Sequence, residues 1–194
     1  MLEVLNNIDT RLFLFLNDKH TEFFDSVMWW ISEKESWYPL YLIIIIYIIY
    51  KLRWKSILLL LSISILITLS DQISVHLFKE VFQRLRPCHN AQIAEYIHIV
   101  NNHCGGKYSF VSSHASNSFS LAIFLTYLFN NKYFTICALC WATIISYSRI
   151  YLGLHYPGDV LAGALLGIVL GIGLIELWIK IIEPIVKKYS NKNE

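Results

Sequence analysis

Charge is what this sequence has least of. Only 15% of its 194 residues are charged, against roughly 25% in a soluble domain, too few to cover a water-facing surface. A surplus of one sign is missing too: the net charge is +2 at pH 7, whereas a phosphate-backbone binder needs a concentrated basic face, so no nucleic-acid partner is expected. Four cysteines are too few for a disulfide-built scaffold. No internal repeat or low-complexity tract is present. No basic n-region precedes a short apolar core and cleavage site, so a secretory signal peptide is not expected. What is abundant is apolar: 56% hydrophobic residues, 15% aromatic and a mean hydropathy of +0.49. That excludes disorder and leaves an integral membrane protein of about one domain's length, spanning 1–194.

A span needs about 20 mostly apolar residues, with a range of about 17–25. Five stretches qualify: Trp37–Leu52, Ser56–Phe78, Ser116–Phe129, Tyr133–Leu152 and Val160–Ile182. Two are short. Lys51, Arg53 and Lys55 can snorkel to extend the first, and the run from Tyr108 to Ala115 can extend the third. In lipid the backbone must satisfy its own hydrogen bonds, so even the β-branched run Ile43–Ile49 reads as helix. The expected fold class is therefore all-α, a polytopic membrane helix bundle. In Leu2–Leu16, Leu2, Leu5, Ile8, Leu12 and Phe15 recur at helical spacing, which suits an interfacial helix. Phe23–Ile31 is about half a span and reads as interfacial or re-entrant, so residues 1–36 form an interfacial N-terminal segment. The one long hydrophilic connection is 79–113, and loops of that length tend to carry function.

Basic residues set orientation. The Lys51–Lys55 turn, the Asn130–Lys132 turn and the tail with Lys187, Lys188 and Lys192 share one side. The acidic first 36 residues, the 79–113 loop and 149–159 share the other. Positive-inside places the second set outside the cytoplasm. Lys79, Arg84, Arg86 and Arg149 dilute the signal, and a functional site could hold them there.

Three polar clusters fall on that side. Lys79 and Arg86 lie two helical turns apart, so both project from one stripe, and Pro87 favours a stop directly after. Taken alone they read as snorkelling cations; together they could hold an anionic phosphate. Val111-Ser112-Ser113-His114 opens the third span, where backbone N–H groups can meet an anion and a histidine can move a proton near neutral pH; a serine cap with an incidental histidine is the alternative. Ser148-Arg149 and His155, four residues before Asp159, form the third. There a carboxylate could fix the imidazole tautomer and free the other nitrogen as nucleophile or base, or Asp159 could simply cap a helix. Two arginines, a lysine, two histidines and one aspartate at the mouths of three spans lack an anion. A phosphate supplies it.

Lys79-x6-Arg86-Pro87, Ser112-x-His114 and Ser148-Arg149-x5-His155-x3-Asp159 together resemble the three signature motifs of the type 2 phosphatidic acid phosphatase (PAP2) superfamily, over roughly residues 55–180. The middle motif departs from the usual Pro-Ser-Gly-His, carrying Val111 and Ser113 instead. The resemblance implies a membrane lipid phosphatase in which His155 attacks phosphorus, Asp159 orients its ring and His114 protonates the leaving oxygen. Lys79, Arg86, Arg149, Ser112 and Ser113 would cradle the phosphate oxygens. No metal and no cofactor are implied. The partners are the bilayer and a lipid phosphate, and the location an inner, cytoplasmic membrane with an extracytoplasmic site. Family breadth favours undecaprenyl diphosphate as substrate. A lipid A phosphate is the rival, since the 79–113 insertion could recognise a sugar; phosphatidylglycerophosphate and phosphatidic acid follow. A metal-dependent hydrolase with His114, His155 and Asp159 as ligands, or a non-catalytic lipid-phosphate binder, are the remaining readings.

Cys88 and Cys104 could pair across the loop in an oxidising compartment, whereas Cys137 and Cys140 read as packing residues. Gly163, Gly167 and Gly171 form a small-residue stripe suited to close helix contact. Asp71 either counters a site cation or faces a polar crevice. His89, His98 and His103 match no tight ligand spacing and are expected to face solvent.

Overall fold

The computed structural model describes residues 2–184, which places the tail lysines Lys187, Lys188 and Lys192 outside it. Its long elements are helices: α1 (Leu2–Asn17), α2 (Glu22–Ser32), α3 (Tyr38–Leu52), α4 (Lys55–Gln72), α5 (Ser113–Phe129), α6 (Lys132–Tyr151) and α7 (Pro157–Leu177). The α4 rod runs on through a π-helical stretch, Ile73–Lys79, to Phe82, and α7 through another, Trp178–Ile182. Among the described residues, four helices are long and apolar enough to cross a membrane: Glu35–Leu52, Lys55–Phe82, Lys132–Tyr151 and Pro157–Ile182.

The fifth expected span is α5, of 17 residues. At 1.5 Å per residue it is about 26 Å long, at the short end of a span. Packed against α4, α6 and α7, it buries four serines, Ser113, Ser116, Ser118 and Ser120, residues lipid would not solvate; their hydroxyls bond within the bundle, as Ser116 does with Ser70 at 2.6 Å. The glycine stripe explains how α7 comes so close. A Cβ on Gly163 would stand 2.5 Å from the Ser112 carbonyl oxygen, and one on Gly167 would collide with that of Ser116. Ile48, Leu59, Leu66, Phe124 and Leu174 close the core between α3, α4, α5 and α7.

The apolar stripe of α1 is exposed at Leu5, Ile8, Leu12 and Phe15, while Phe13 on its other side is fully buried in a cluster with Ile93, Ile150 and Tyr156. Such a helix presents its stripe to the bilayer surface. With 11 residues, α2 is about 16 Å long and too short to span. Loop 83–112 folds over the same end of the bundle. There the structure joins Cys88 to Cys104, with Cα atoms 6.0 Å apart, and Asn17 accepts from the His98 backbone N–H at 2.8 Å.

Three expectations change. Arg86 does not share a helical stripe with Lys79: the helix ends at Phe82 rather than at Pro87, because Gln83 takes a left-handed conformation at φ 47°, and Arg86 comes from the loop. His98 does not face solvent: its Nε2 meets Asp25 at 2.9 Å and its ring stacks on His20. Cys137 and Cys140 are exposed on α6 rather than packed, because the inward face of that helix is taken by Ala138 and Ala142.

Candidate active site

Each motif is placed by a helix terminus. The π-helical stretch keeps Asp71, Val75 and Lys79 lining one cavity. A π turn has more residues than the α value of 3.6, so positions four apart stay on one face. Gln83 then closes the helix in the left-handed region, at φ 47°, and turns the chain toward Arg86. Ser112 caps α5, accepting from Ala115 N–H at 3.5 Å, and so delivers Ser113 and His114 into its first turn. Tyr156 and Asp159 form the capping box of α7, in which Asp159 Oδ2 accepts from Tyr156 N–H at 2.9 Å.

These termini converge. Lys79, Arg86, Ser113, His114 and His155 all line a single cavity of about 680 Å³. Lys79 Nζ donates to Ser113 Oγ at 2.8 Å, so the serine that replaces the family glycine supplies a hydroxyl beside the lysine. Arg86 is held by the loop, its NH1 donating to the Cys104 carbonyl at 2.8 Å and its Nε to that of Tyr108 at 3.4 Å. Away from the charged end the cavity wall is apolar, with Ile44, Ile48, Ile63 and Leu125 among its residues.

The other expected site residues stand behind this wall. Asp159, fully buried, lies with Oδ2 3.7 Å from His155 Nδ1, an electrostatic contact longer than a hydrogen bond. Nδ1 is itself buried without a hydrogen-bond partner. Burial lowers the His155 imidazole to about 4; Asp159 pulls it upward, and Arg86 and Arg149 push it further down. Its ring is therefore neutral at ordinary pH. Arg149 is buried and donates through NH1 to Ser32 Oγ, leaving its Nε without a partner. Ser112 is committed to its cap and, through its N–H, to the Asp159 carbonyl at 3.0 Å; its side chain is not part of the cavity wall.

The sequence assigned no role to four further participants, although it marked Arg84 among the cations that a functional site could hold. Lys34, between α2 and α3, lines the cavity and adds a cation to it. Asn117, one turn after His114, also lines it, with a buried Oδ1 that has no partner. Arg84 donates to Asp159 Oδ1 at 2.7 Å, and Asp9 of α1 receives the same guanidinium at 2.8 Å. The unusual density of basic residues in 79–86 was the signal for Arg84. Lys34 and Asp9 sit in an interfacial segment whose sequence gives no hint of what it packs against. Asp71 lines the cavity below Lys79, so it faces a crevice and acts on a site cation at once.

A family model described as the PAP2 superfamily matches residues 57–182. A lipid A 4'-phosphatase of Bacteroides thetaiotaomicron is 41% identical over 169 residues, 86% of this chain and 75% of that protein. One of Porphyromonas gingivalis is 32% identical over 171 residues, 88% and 72% of the two chains. An undecaprenyl-diphosphatase of Sulfolobus acidocaldarius is 43% identical, over only 60 residues, 31% of this chain and 29% of that one. Among solved structures, a transmembrane PAP2-type phosphatidylglycerolphosphate phosphatase of Bacillus subtilis superposes with a TM-score of 0.71 at 22% identity, over 92% of this chain and 88% of that one. Aquifex aeolicus LpxE does so at 0.63 and 24%, over 86% and 94%. Motifs, fold and family model agree: this chain belongs to the PAP2 superfamily and is a membrane lipid phosphatase.

Proposed function

We propose that the substrate is a lipid A phosphate, hydrolysed through a phosphohistidine on His155. The observation that carries the chemistry is the single cavity in which Lys79, Arg86, Ser113, His114 and His155 meet at the mouth of an apolar cleft. A phosphate at the charged end can keep its lipid within the bundle.

With Nδ1 turned toward Asp159, Nε2 of the neutral His155 is the nitrogen left to attack phosphorus in line. The N–P bond forms as the P–O bond to the lipid breaks, and His114 gives its proton to the departing oxygen. His114 then takes a proton from water, which attacks the phosphohistidine, releasing inorganic phosphate and restoring His155. As Nε2 bonds to phosphorus the ring becomes positive, and the Asp159 carboxylate behind Nδ1 stabilises that charge. Lys79 and Arg86 face the equatorial oxygens, where transition-state charge gathers, and Arg149 adds its field from behind. These fixed cations do the electrostatic work a divalent ion would otherwise do, so the reaction is proposed to be metal-independent.

The choice among lipids rests on the relatives. Those named lipid A 4'-phosphatase match over 86% and 88% of this chain, whereas those named undecaprenyl-diphosphatase match over 31% and 52% of it; lipid A therefore replaces undecaprenyl diphosphate as the leading substrate. The disulfide in loop 83–112 supports a site on the extracytoplasmic face of the inner membrane, since such bonds persist in oxidising compartments. Purified protein should release inorganic phosphate fastest from lipid A within a panel that also holds undecaprenyl diphosphate, phosphatidylglycerophosphate and phosphatidic acid. His155→Ala is the control. Faster release from undecaprenyl diphosphate would overturn the substrate assignment.

A further inference from the structure

Asp159 has two carboxylate oxygens, and its own helix uses only one. Oδ2 accepts from Tyr156 N–H and faces His155. Oδ1 accepts from Arg84 NH1 at 2.7 Å. The same guanidinium turns its NH2 to Asp9 Oδ2 at 2.8 Å and to Asn6 Oδ1 at 3.0 Å, both on α1. The circuit then closes: Asp9 Oδ1 accepts from the backbone N–H of Gly158 at 2.7 Å, one residue before Asp159. Room for this exists because residue 158 lacks a Cβ, which would stand 2.7 Å from Asp9 Oδ2. Above the circuit the Arg84 guanidinium lies 4.0 Å from the Tyr156 ring centroid.

Neither Arg84 nor Asp9 lines the cavity, so a phosphate bound there does not reach them. Their contacts are instead spent on a fully buried carboxylate, which is costly unless paired. A planar guanidinium fixes a carboxylate in direction as well as in charge, and here the fork is itself held by an acid from another helix. We infer that Arg84 and Asp9 are positioning residues that hold Asp159 against His155, and that the interfacial helix α1 is thereby a working part of the active site. Burial works against the charge of Arg84, and the carboxylates of Asp159 and Asp9 outweigh it, so its pKa is raised and the strut stays cationic.

The inference rests on the lipid-phosphatase reading but not on the identity of the lipid, so any lipid phosphate the wild type hydrolyses serves as substrate. Because Asp159 acts on charge that develops only as the N–P bond forms, its misplacement lowers kcat and leaves KM. Active sites are counted first with inorganic phosphate at saturating concentration, a ground-state ligand whose binding does not draw on the charge Asp159 stabilises, so that misfolded protein is excluded. Per titrated site, Arg84→Gln should lower kcat about tenfold to hundredfold, as small displacements of a catalytic group do, with KM within about twofold. Arg84→Lys should recover part of the loss. Asp9→Asn should lower kcat less, and Asp9→Asn combined with Arg84→Gln should be no worse than Arg84→Gln alone, since one acts through the other. Unchanged kcat per site in Arg84→Gln, a loss confined to the number of titratable sites, a rise in KM at constant kcat, or multiplicative losses in the double variant would each overturn it. A wild type inert on every lipid phosphate would instead sink the reading beneath.

Discussion

At the scale of the residue, His155 decides the pH behaviour. Its folded-state value near 4 lies below the ordinary 6.5, with burial the largest cause. The groups facing it are Asp159 on α7, Arg149 on α6, His114 on α5 and Arg86 in the loop. Attack needs the neutral ring, so His155 should give kcat/KM of the free enzyme an acid limb that falls tenfold per pH unit well below about 4. Set against it is the opposite limb of His114, which must carry its proton to act as the acid. Asp159 raises His155, so Asp159→Asn should act more slowly and carry its acid limb to lower pH. A limb that moved upward would contradict the pairing. The same ring affects folding: the unfolded chain takes up a proton at 6.5 and the native one does not, so stability should decline as pH falls from about 6.5 toward 4, and less so in His155→Asn. Thermal unfolding against pH measures it. His155→Ala should abolish turnover and His114→Ala reduce it at least about a hundredfold, within the range of lost general acid catalysis, read as phosphate release. His155 and Asp159 were legible as a pair because i, i+4 spacing survives as local geometry. The i, i+7 spacing of Lys79 and Arg86 named the right residues without the right geometry, since the helix ends at Phe82 and Arg86 reaches the cavity from the loop. Arg84 and Asp9 were not legible as a pair, since their meeting spans 75 positions and is created by how α1 docks.

At the scale of the element, helix termini do the positioning, and α5 is the one whose placement matters most. Its first turn holds Ser113 and His114, and its approach to α7 rests on glycines with no space for a side chain. Gly163→Val would drive a branched side chain against the Ser112 carbonyl, which belongs to the very residue that caps α5. The expected result is a loss of about 1–3 kcal/mol in stability, typical of overpacking, together with a fall in kcat. Denaturant or thermal unfolding in detergent, run beside the phosphate assay, checks both. The long apolar run that marked α4, α6 and α7 is broken up in α5, since a helix enclosed by other helices can use serine where lipid-facing ones need leucine. For the same reason its sequence span looked truncated. The π turn before Lys79 was equally invisible: a single shifted hydrogen-bond register leaves composition unchanged.

At the scale of the whole molecule, the disulfide, the loop and the site are one mechanical unit. Cys104 is bonded to Cys88, and its carbonyl is the acceptor that holds Arg86 NH1. Opening that bond frees the 83–112 loop at the point where a phosphate-facing arginine is anchored, while His155, His114 and Asp159 remain on their helices. Arg86 serves ground-state and transition-state phosphate alike, so its loosening should raise KM several-fold, with a smaller change in kcat. Cys88→Ser with Cys104→Ser, or wild type treated with a reductant, should behave alike in steady-state kinetics on the preferred lipid. The same unit tests sidedness. Basic residues at 51–55 and 130–132 argue that the opposite end faces the cytoplasm, and an exposed reporter on the loop can be read from outside. Tyr96 is 75% exposed there, so Tyr96→Cys in a chain lacking Cys137 and Cys140 should react with a membrane-impermeant maleimide in intact spheroplasts. Arg53→Cys, at the far end, should react only after lysis. Labelling in the reverse order would place the phosphate cup on the cytoplasmic side, in a reducing compartment where the Cys88–Cys104 bond is not expected to last.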